Sequence, residues 1–296
     1  MLRVITGNVI FYVWLVSMAD ASCTENVRAG LTRNESLLLS SLSEKGKAIF
    51  RIEDVVNELM CSYKYAKVLA NNLTKKKWVI ALRRGVYLIV PLSAGVRARY
   101  TEHEFVIASH LVSPYYIAYW SALNFYGFTE QTPFTVFVAT TRRTKSREIL
   151  NTRYNFVTLS KRKFFGFEPT AVSTYKVNIS DREKTMADAL DHPEYCGGIP
   201  EVAKSLWNAG EKVSMEKIAN YAERMGNTAI VKRLGYLVES LNIDVAAEVL
   251  SKMKRMISPG MSALDLTRPR RGTYNTRWNL LLNVSKEALE ELRRSF

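Results

Sequence analysis

No aspartate or glutamate occurs between Ser62 and Arg84, although this stretch carries apolar residues at helical spacing. At about 100° per residue, Ala66, Leu69, Ala70 and Leu73 fall on one face of a helix. Lys64, Lys67, Asn71 and Lys75 fall almost opposite. A surface helix ordinarily mixes signs for solubility, so a helix with one buried face and one acid-free polar face is built to meet a polyanion. Lysine neutralises phosphates or reaches guanine acceptors, and asparagine pairs bidentately with adenine. Tyr63, Tyr65 and Lys76 extend the outward set, and Ser62 is placed to cap the helix N-terminus.

The flanking segments supply a frame for that helix. Thr32-x-x-Glu35 is a capping-box pattern opening a helix with Leu38, Leu39 and Leu42 inward. Residues 48–52 read as extended. Glu53 and Asp54 then open a second helix whose apolar side is Val55, Val56, Leu59 and Met60. After the third helix, residues 78–82 and 86–90 are β-rich runs joined through Arg83-Arg84-Gly85, a hairpin with two arginines at its tip. The expected arrangement is therefore an N-terminal winged helix-turn-helix over residues 30–92 that binds double-stranded DNA. Its contact residues are Ser62, Tyr63, Lys64, Tyr65, Lys67, Asn71, Lys75, Lys76, Arg83 and Arg84. A structural three-helix bundle with a solvated lysine face is the alternative for the same residues.

The chain has 296 residues, room for about two domains, and its 47% apolar content suffices for a sizeable core. Its net charge of +14 is segregated: +8 over residues 1–100, −3 over 101–140, +7 over 141–166, −4 over 167–251 and +6 over 252–296. Such an excess favours nucleic acid or an anionic membrane surface. Cys23, Cys61 and Cys196 have no zinc-ligand spacing and read as reduced thiols of a cytoplasmic protein. Residues 9–16 form an apolar run, preceded by Arg3 and followed by Ala19-Asp20-Ala21. That run fits a short signal peptide, an upstream extension of a chain that starts at Met18, or an ordinary packing segment of a 1–29 extension. It is too short to span a bilayer, which takes about 20 residues.

After a break at residues 91–95 the pattern changes to a second domain over 96–296. Helices are expected at 101–112 and 115–126, the second rich in aromatics, then strands at 135–140, 154–160 and 171–179. Ser180-x-x-Glu183 resembles a capping box for a helix to Leu190. Helices at 199–209, 215–225, 228–241 and 245–256, a strand at 278–284 and a helix at 286–294 follow. The fold class is thus α+β, a winged helix-turn-helix followed by a mixed α/β domain with strands grouped before a helical half. Arg142, Arg143, Lys145 and Arg147 lie between the first two strands, and Lys161, Arg162 and Lys163 follow the second. Both clusters sit at strand ends, either as solvated loop charge or as a second phosphate-contacting patch.

Motifs for chemistry are sparse. No Gly-rich phosphate loop or nucleophile motif is present. His103 and His110 read as packing residues, and His192 with Cys196 lacks two further ligands for a metal. Asp181, Glu183, Asp188 and Asp191 would have to bind Mg²⁺ for a metal-dependent nucleic-acid enzyme, but a helical acidic face explains them better. No cofactor, metal or catalytic set is expected.

The segment Glu183-Lys-Thr-Met-Ala-Asp-Ala-Leu-Asp-His-Pro-Glu-Tyr-Cys-Gly-Gly-Ile199 resembles a signature of the AbiEi family of type IV toxin–antitoxin antitoxins. Lys232-Arg-Leu-Gly-Tyr-Leu-Val-Glu239, Trp278-Asn-Leu-Leu-Leu-Asn283 and Ser121-Ala-Leu-Asn-Phe-Tyr-Gly127 are similar to further family segments. The match runs over residues 32–285 in the family's order. The resemblance implies an N-terminal domain that binds inverted repeats in its own promoter and represses the operon. It also implies a C-terminal antitoxin domain that counters a nucleotidyltransferase-like toxin without a stable complex. A stand-alone winged-helix regulator is the alternative within the same class. The sequence leaves the oligomeric state open, a monomer binding DNA cooperatively being one arrangement.

Overall fold

The computed structural model describes residues 28–95 and 100–285. The apolar run at 9–16, the Met18 start, Cys23 and the helix expected at 286–294 lie outside them. The chain is mixed α+β and divides into two compact units, one ending at Glu102 and the other beginning at His103.

In the first unit, α1 (Arg33–Glu44) opens with the expected reciprocal cap. Thr32 Oγ1 accepts the Glu35 amide at 3.5 Å, and the Glu35 carboxylate accepts the Thr32 amide at 2.7 Å. β1 (Ile49–Arg51) leads into α2 (Ile52–Leu59), which ends at Met60 in the left-handed region. α3 (Tyr63–Lys75) begins after Ser62, whose Oγ accepts the Tyr65 amide at 3.3 Å. β2 (Val79–Arg83) and β3 (Val86–Ile89) form a hairpin, and β1 joins its far side, giving the antiparallel order β1-β3-β2. Leu38, Leu42, Phe50, Val55, Leu69 and Leu73 fill one core between these elements. Each is an apolar residue that the helical or strand period turns inward.

The second unit begins with α4 (Glu104–Leu111), capped by His103, whose Nδ1 accepts the Phe105 amide at 3.2 Å. β4 (Tyr115–Ile117), α5 (Tyr119–Phe125), β5 (Thr135–Thr140), β6 (Arg147–Ile149), β7 (Thr152–Thr158), β8 (Phe167–Val172) and β9 (Tyr175–Ser180) follow. The strands form one sheet in the order β6-β7-β5-β4-β9-β8, in which β5 with β7 and β4 with β9 run parallel. Then come α6 (Arg182–Asp191), α7 (Ile199–Ala209), α8 (Met215–Met225), α9 (Thr228–Leu241) and α10 (Ala247–Arg255). A small sheet of β10 (Ser262–Ala263), β11 (Thr273–Asn275) and β12 (Leu280–Leu282), in the order β10-β12-β11, completes the described chain.

Several expectations change. The helix read at 115–126 divides into β4 and α5, because Tyr115, Tyr116 and Ile117 pair between β5 and β9; sheet pairing overrides the aromatic helical spacing. The strand read at 171–179 is the hairpin β8–β9, turning at Ser173 with φ 53°. α6 is capped by Asp181, which accepts the Lys184 amide at 2.7 Å, and not by Ser180. Ser180 is still inside β9, where its hydroxyl donates to the Ile117 carbonyl. The acidic helix is no solvated face: every residue of α6 from Lys184 to Asp191 is buried. The helix expected at 101–112 is α4, and the late strand expected at 278–284 is β12, which β10 and β11 join in a small sheet.

Candidate nucleic-acid interface

α3 packs Ala66, Leu69, Ala70 and Leu73 into the first core, and that burial turns Lys64, Lys67, Asn71 and Lys75 to solvent. Tyr63 and Tyr65 are also exposed, and the Lys67 ammonium lies 4.5 Å from the centre of the Tyr63 ring. That cation–π contact holds the lysine against the ring without neutralising its charge. Tyr65 is anchored from α1, its hydroxyl accepting from Asn34 Nδ2 at 3.0 Å.

The β2–β3 turn stands beside this helix. Residues 84–85 make the turn, with Arg84 exposed and Arg83 half-buried. A cleft of about 470 Å³ opens between helix and hairpin, lined by Ile52, Tyr63, Lys67, Asn71, Arg84, Gly85 and Tyr87. Burial, with the neighbouring Tyr63 adding to it, pushes the Tyr87 hydroxyl up. The cleft thus offers a lysine, an arginine, an amide and two phenols: groups that hold phosphates and read base edges.

Lys76 departs from the expected contact set. Its Nζ pairs at 2.6 Å with Glu35, a carboxylate that is almost wholly buried. Burial would raise that carboxyl, but the Lys76 ammonium and the Thr32 hydrogen bonds outweigh it and hold it below the ordinary value. Lys76 therefore ties α3 to the first turn of α1. Ser62 serves as the helix cap, as described above. Ile52 and Tyr87 line the cleft and were not singled out in the sequence, where both look like ordinary core residues of apolar runs.

The second basic set lies in the other unit. Thr140 of β5 is in register with Thr158 of the parallel β7, so the chain leaves both strands at one end of the sheet. Arg142, Arg143, Lys145 and Lys161 are exposed there. Arg147 is half-buried, its guanidinium 5.9 Å from the Phe156 ring. Arg162 and Lys163 are structural. Arg162 donates to the Arg224 and Glu223 carbonyls at the end of α8, at 2.8 and 3.3 Å. Lys163 pairs with buried Asp191 at 2.6 Å. Lys163 is thereby neutralised, whereas Arg162 is exposed and keeps its charge, so the patch loses one of its seven bases.

The carboxylates considered for a metal each have an intramolecular partner. Asp181 caps α6 and accepts from the Tyr221 hydroxyl, and Glu183 pairs with Lys217. Asp188 is bonded to Lys184 and to the Tyr116 hydroxyl, and Asp191 to Lys163 and Asn227. Among the described residues no group of three or more His, Cys, Asp or Glu is placed to hold a metal ion. No helix of the described residues is long and apolar enough to cross a membrane.

No family model matches the chain, and no curated protein does. Among solved structures, the fold is similar to the crystal structure of the RV2827C protein from Mycobacterium tuberculosis. That likeness has a TM-score of 0.62 at 12% identity and covers 91% of this chain and 96% of that one. It extends over both units, so the described α+β architecture is one that a natural protein adopts.

Proposed function

We propose that this chain is a DNA-binding transcriptional autorepressor and the antitoxin of a type IV toxin–antitoxin system, with no enzymatic activity of its own. The observation that carries the reading is the cleft between α3 and the β2–β3 turn, where Lys67, Asn71 and Arg84 converge. On this reading the first unit is a winged helix-turn-helix: α3 enters the major groove of double-stranded DNA and the hairpin lies against the adjacent backbone. The order α1, β1, α2, α3, β2, β3 supports it, as does the absence of acids from Ser62 to Arg84. The AbiEi-like segments support the antitoxin half, in which the second unit counters a nucleotidyltransferase-like toxin in the cytoplasm.

The test is a mobility-shift titration of the chain against its own upstream DNA and a scrambled duplex at physiological salt. A repressor prefers the native sequence by roughly 1,000-fold or more. Replacing Lys64, Lys67 and Asn71 together with alanine abolishes that preference and leaves the thermal melt in place, since all three side chains are exposed. Equal, weak binding to both duplexes refutes the reading. For the antitoxin half, co-expression with the nucleotidyltransferase-like product of an adjacent gene restores growth; unrelieved arrest refutes that part alone.

A further inference from the structure

The third basic zone, in the C-terminal tail, has no part in the reading above. Between Met253 and Arg277 the chain carries six basic residues and one acid, Asp265. That acid is fully buried and pairs with Arg268, and Arg277 pairs with Glu239, so within the loop the uncompensated charges are those of Arg270 and Arg271. Every residue from 266 to 274 is exposed, and this loop holds Arg268, Arg270, Arg271 and, at its end, Tyr274 with 68% of its surface open.

The loop's backbone is clamped. Asn283 Nδ2 donates to the carbonyls of Asp265, Arg268 and Pro269 at 2.7, 3.3 and 3.2 Å. The Asp265 carboxylate accepts from the Thr267 amide and hydroxyl at 2.8 and 2.6 Å, and from the Ile199 amide of α7 at 3.0 Å. The Arg271 amide donates to the Pro269 carbonyl at 2.8 Å. A Cβ on Gly272 would run into the Leu282 carbonyl, so the loop enters β11 at a spacing only glycine allows. With the carbonyls of 265, 268 and 269 turned inward, the side chains turn out. Arg268 stands 3.8 Å from Asp265, but among the described residues the side chains of Arg270, Arg271 and Tyr274 have no partner.

We infer that residues 266–274 form a binding surface for single-stranded nucleic acid, with Arg270 and Arg271 on successive phosphates and the Tyr274 ring stacked on an unpaired base. The combination decides the class. A charged face alone serves a duplex, whose bases are already stacked on one another. An exposed ring beside a short arginine loop suits a strand whose bases are free to stack. The pre-formed backbone lowers the ordering cost of binding.

The experiment uses the full chain with Lys64, Lys67 and Asn71 already changed to alanine, so that failure of the duplex reading leaves this test intact. Fluorescein-labelled 12-nucleotide oligouridine is titrated by polarisation, beside the same strand annealed to oligoadenosine and beside phosphatidylserine-containing vesicles. Two phosphate contacts on a single strand give a slope of log affinity on log salt of about −1.4. Changing Arg270 and Arg271 to alanine flattens that slope. Tyr274→Ala weakens binding about tenfold, and Tyr274→Phe retains it because the ring alone stacks. Equal or tighter binding of the duplex, arginine-dependent binding of the vesicles alone, or indifference to Tyr274→Ala overturns the inference.

Discussion

The buried charges of α6 illustrate how much one residue can depend on its partners. Lys184 and Asp188 are fully buried and bonded to each other, and the Tyr116 hydroxyl bonds to both at 3.0 Å. Burial pushes the Asp188 carboxyl up, against the pull of Lys184 and Tyr116. Lys184→Met strands that carboxyl without its cation and lowers unfolding stability in urea by about 3–5 kcal/mol. The double change Lys184→Met with Asp188→Leu recovers most of the loss, because no uncompensated charge remains. The Glu35 carboxyl is shifted the other way, and this carries a pH prediction. A carboxyl held below its ordinary value contributes stability above that value and loses the contribution as pH falls through the folded value. Wild-type stability therefore declines below about pH 4.5 more steeply than that of Glu35→Gln. Parallel curves from denaturant titrations at pH 7 and pH 3 would remove Glu35 from the account. Asp54 and Glu58 are also lowered, and their share is common to both proteins.

At the scale of elements, the start of α7 is the most constrained turn in the second unit. Gly197 and Gly198 have φ of 81° and 91°, and a Cβ on either would come within 3.0 Å, of the Trp120 ring and of Asp265 Oδ2 respectively. Gly198→Val costs about 1–3 kcal/mol in backbone strain alone and displaces the Asp265 cap. Calorimetry checks this; an unchanged melt would mean the turn tolerates a side chain. The sequence made this turn legible, because paired glycines after Tyr195-Cys196 have few other uses. It made α1, α3, α7, α8 and α9 legible as well, through caps and a clear helical period. It did not make β4 legible, since Tyr115-Tyr116-Ile117 suits a helix or a strand until neighbours exist to pair with it. Nor did it separate Lys76, Arg162 and Lys163 from their outward neighbours: each partner, Glu35, the end of α8 or Asp191, is 28 or more residues away.

Across the whole molecule, whose net charge is +14, the proposed repressor function predicts a response of duplex binding to salt. If Lys64, Lys67, Lys75 and Arg84 each neutralise one phosphate, the slope on log salt is about −3.6. Affinity for the upstream duplex then falls about 150-fold between 50 and 200 mM salt. A flat response would take these four side chains off the backbone.

What the sequence determined by itself was local and periodic. Capping residues, the apolar stripe of α3 and the lysines opposite it follow from chain geometry that adjacent residues already specify. The change of pattern at residues 91–95 precedes the division between the two units, which falls between Glu102 and His103. What only the tertiary structure decided was the fate of the charges. Whether a lysine faces solvent, as Lys67 does, or a buried carboxylate, as Lys76 and Lys184 do, depends on which distant element packs beside it. Desolvation makes an unpaired charge so costly that the partner, and not the residue type, sets the role.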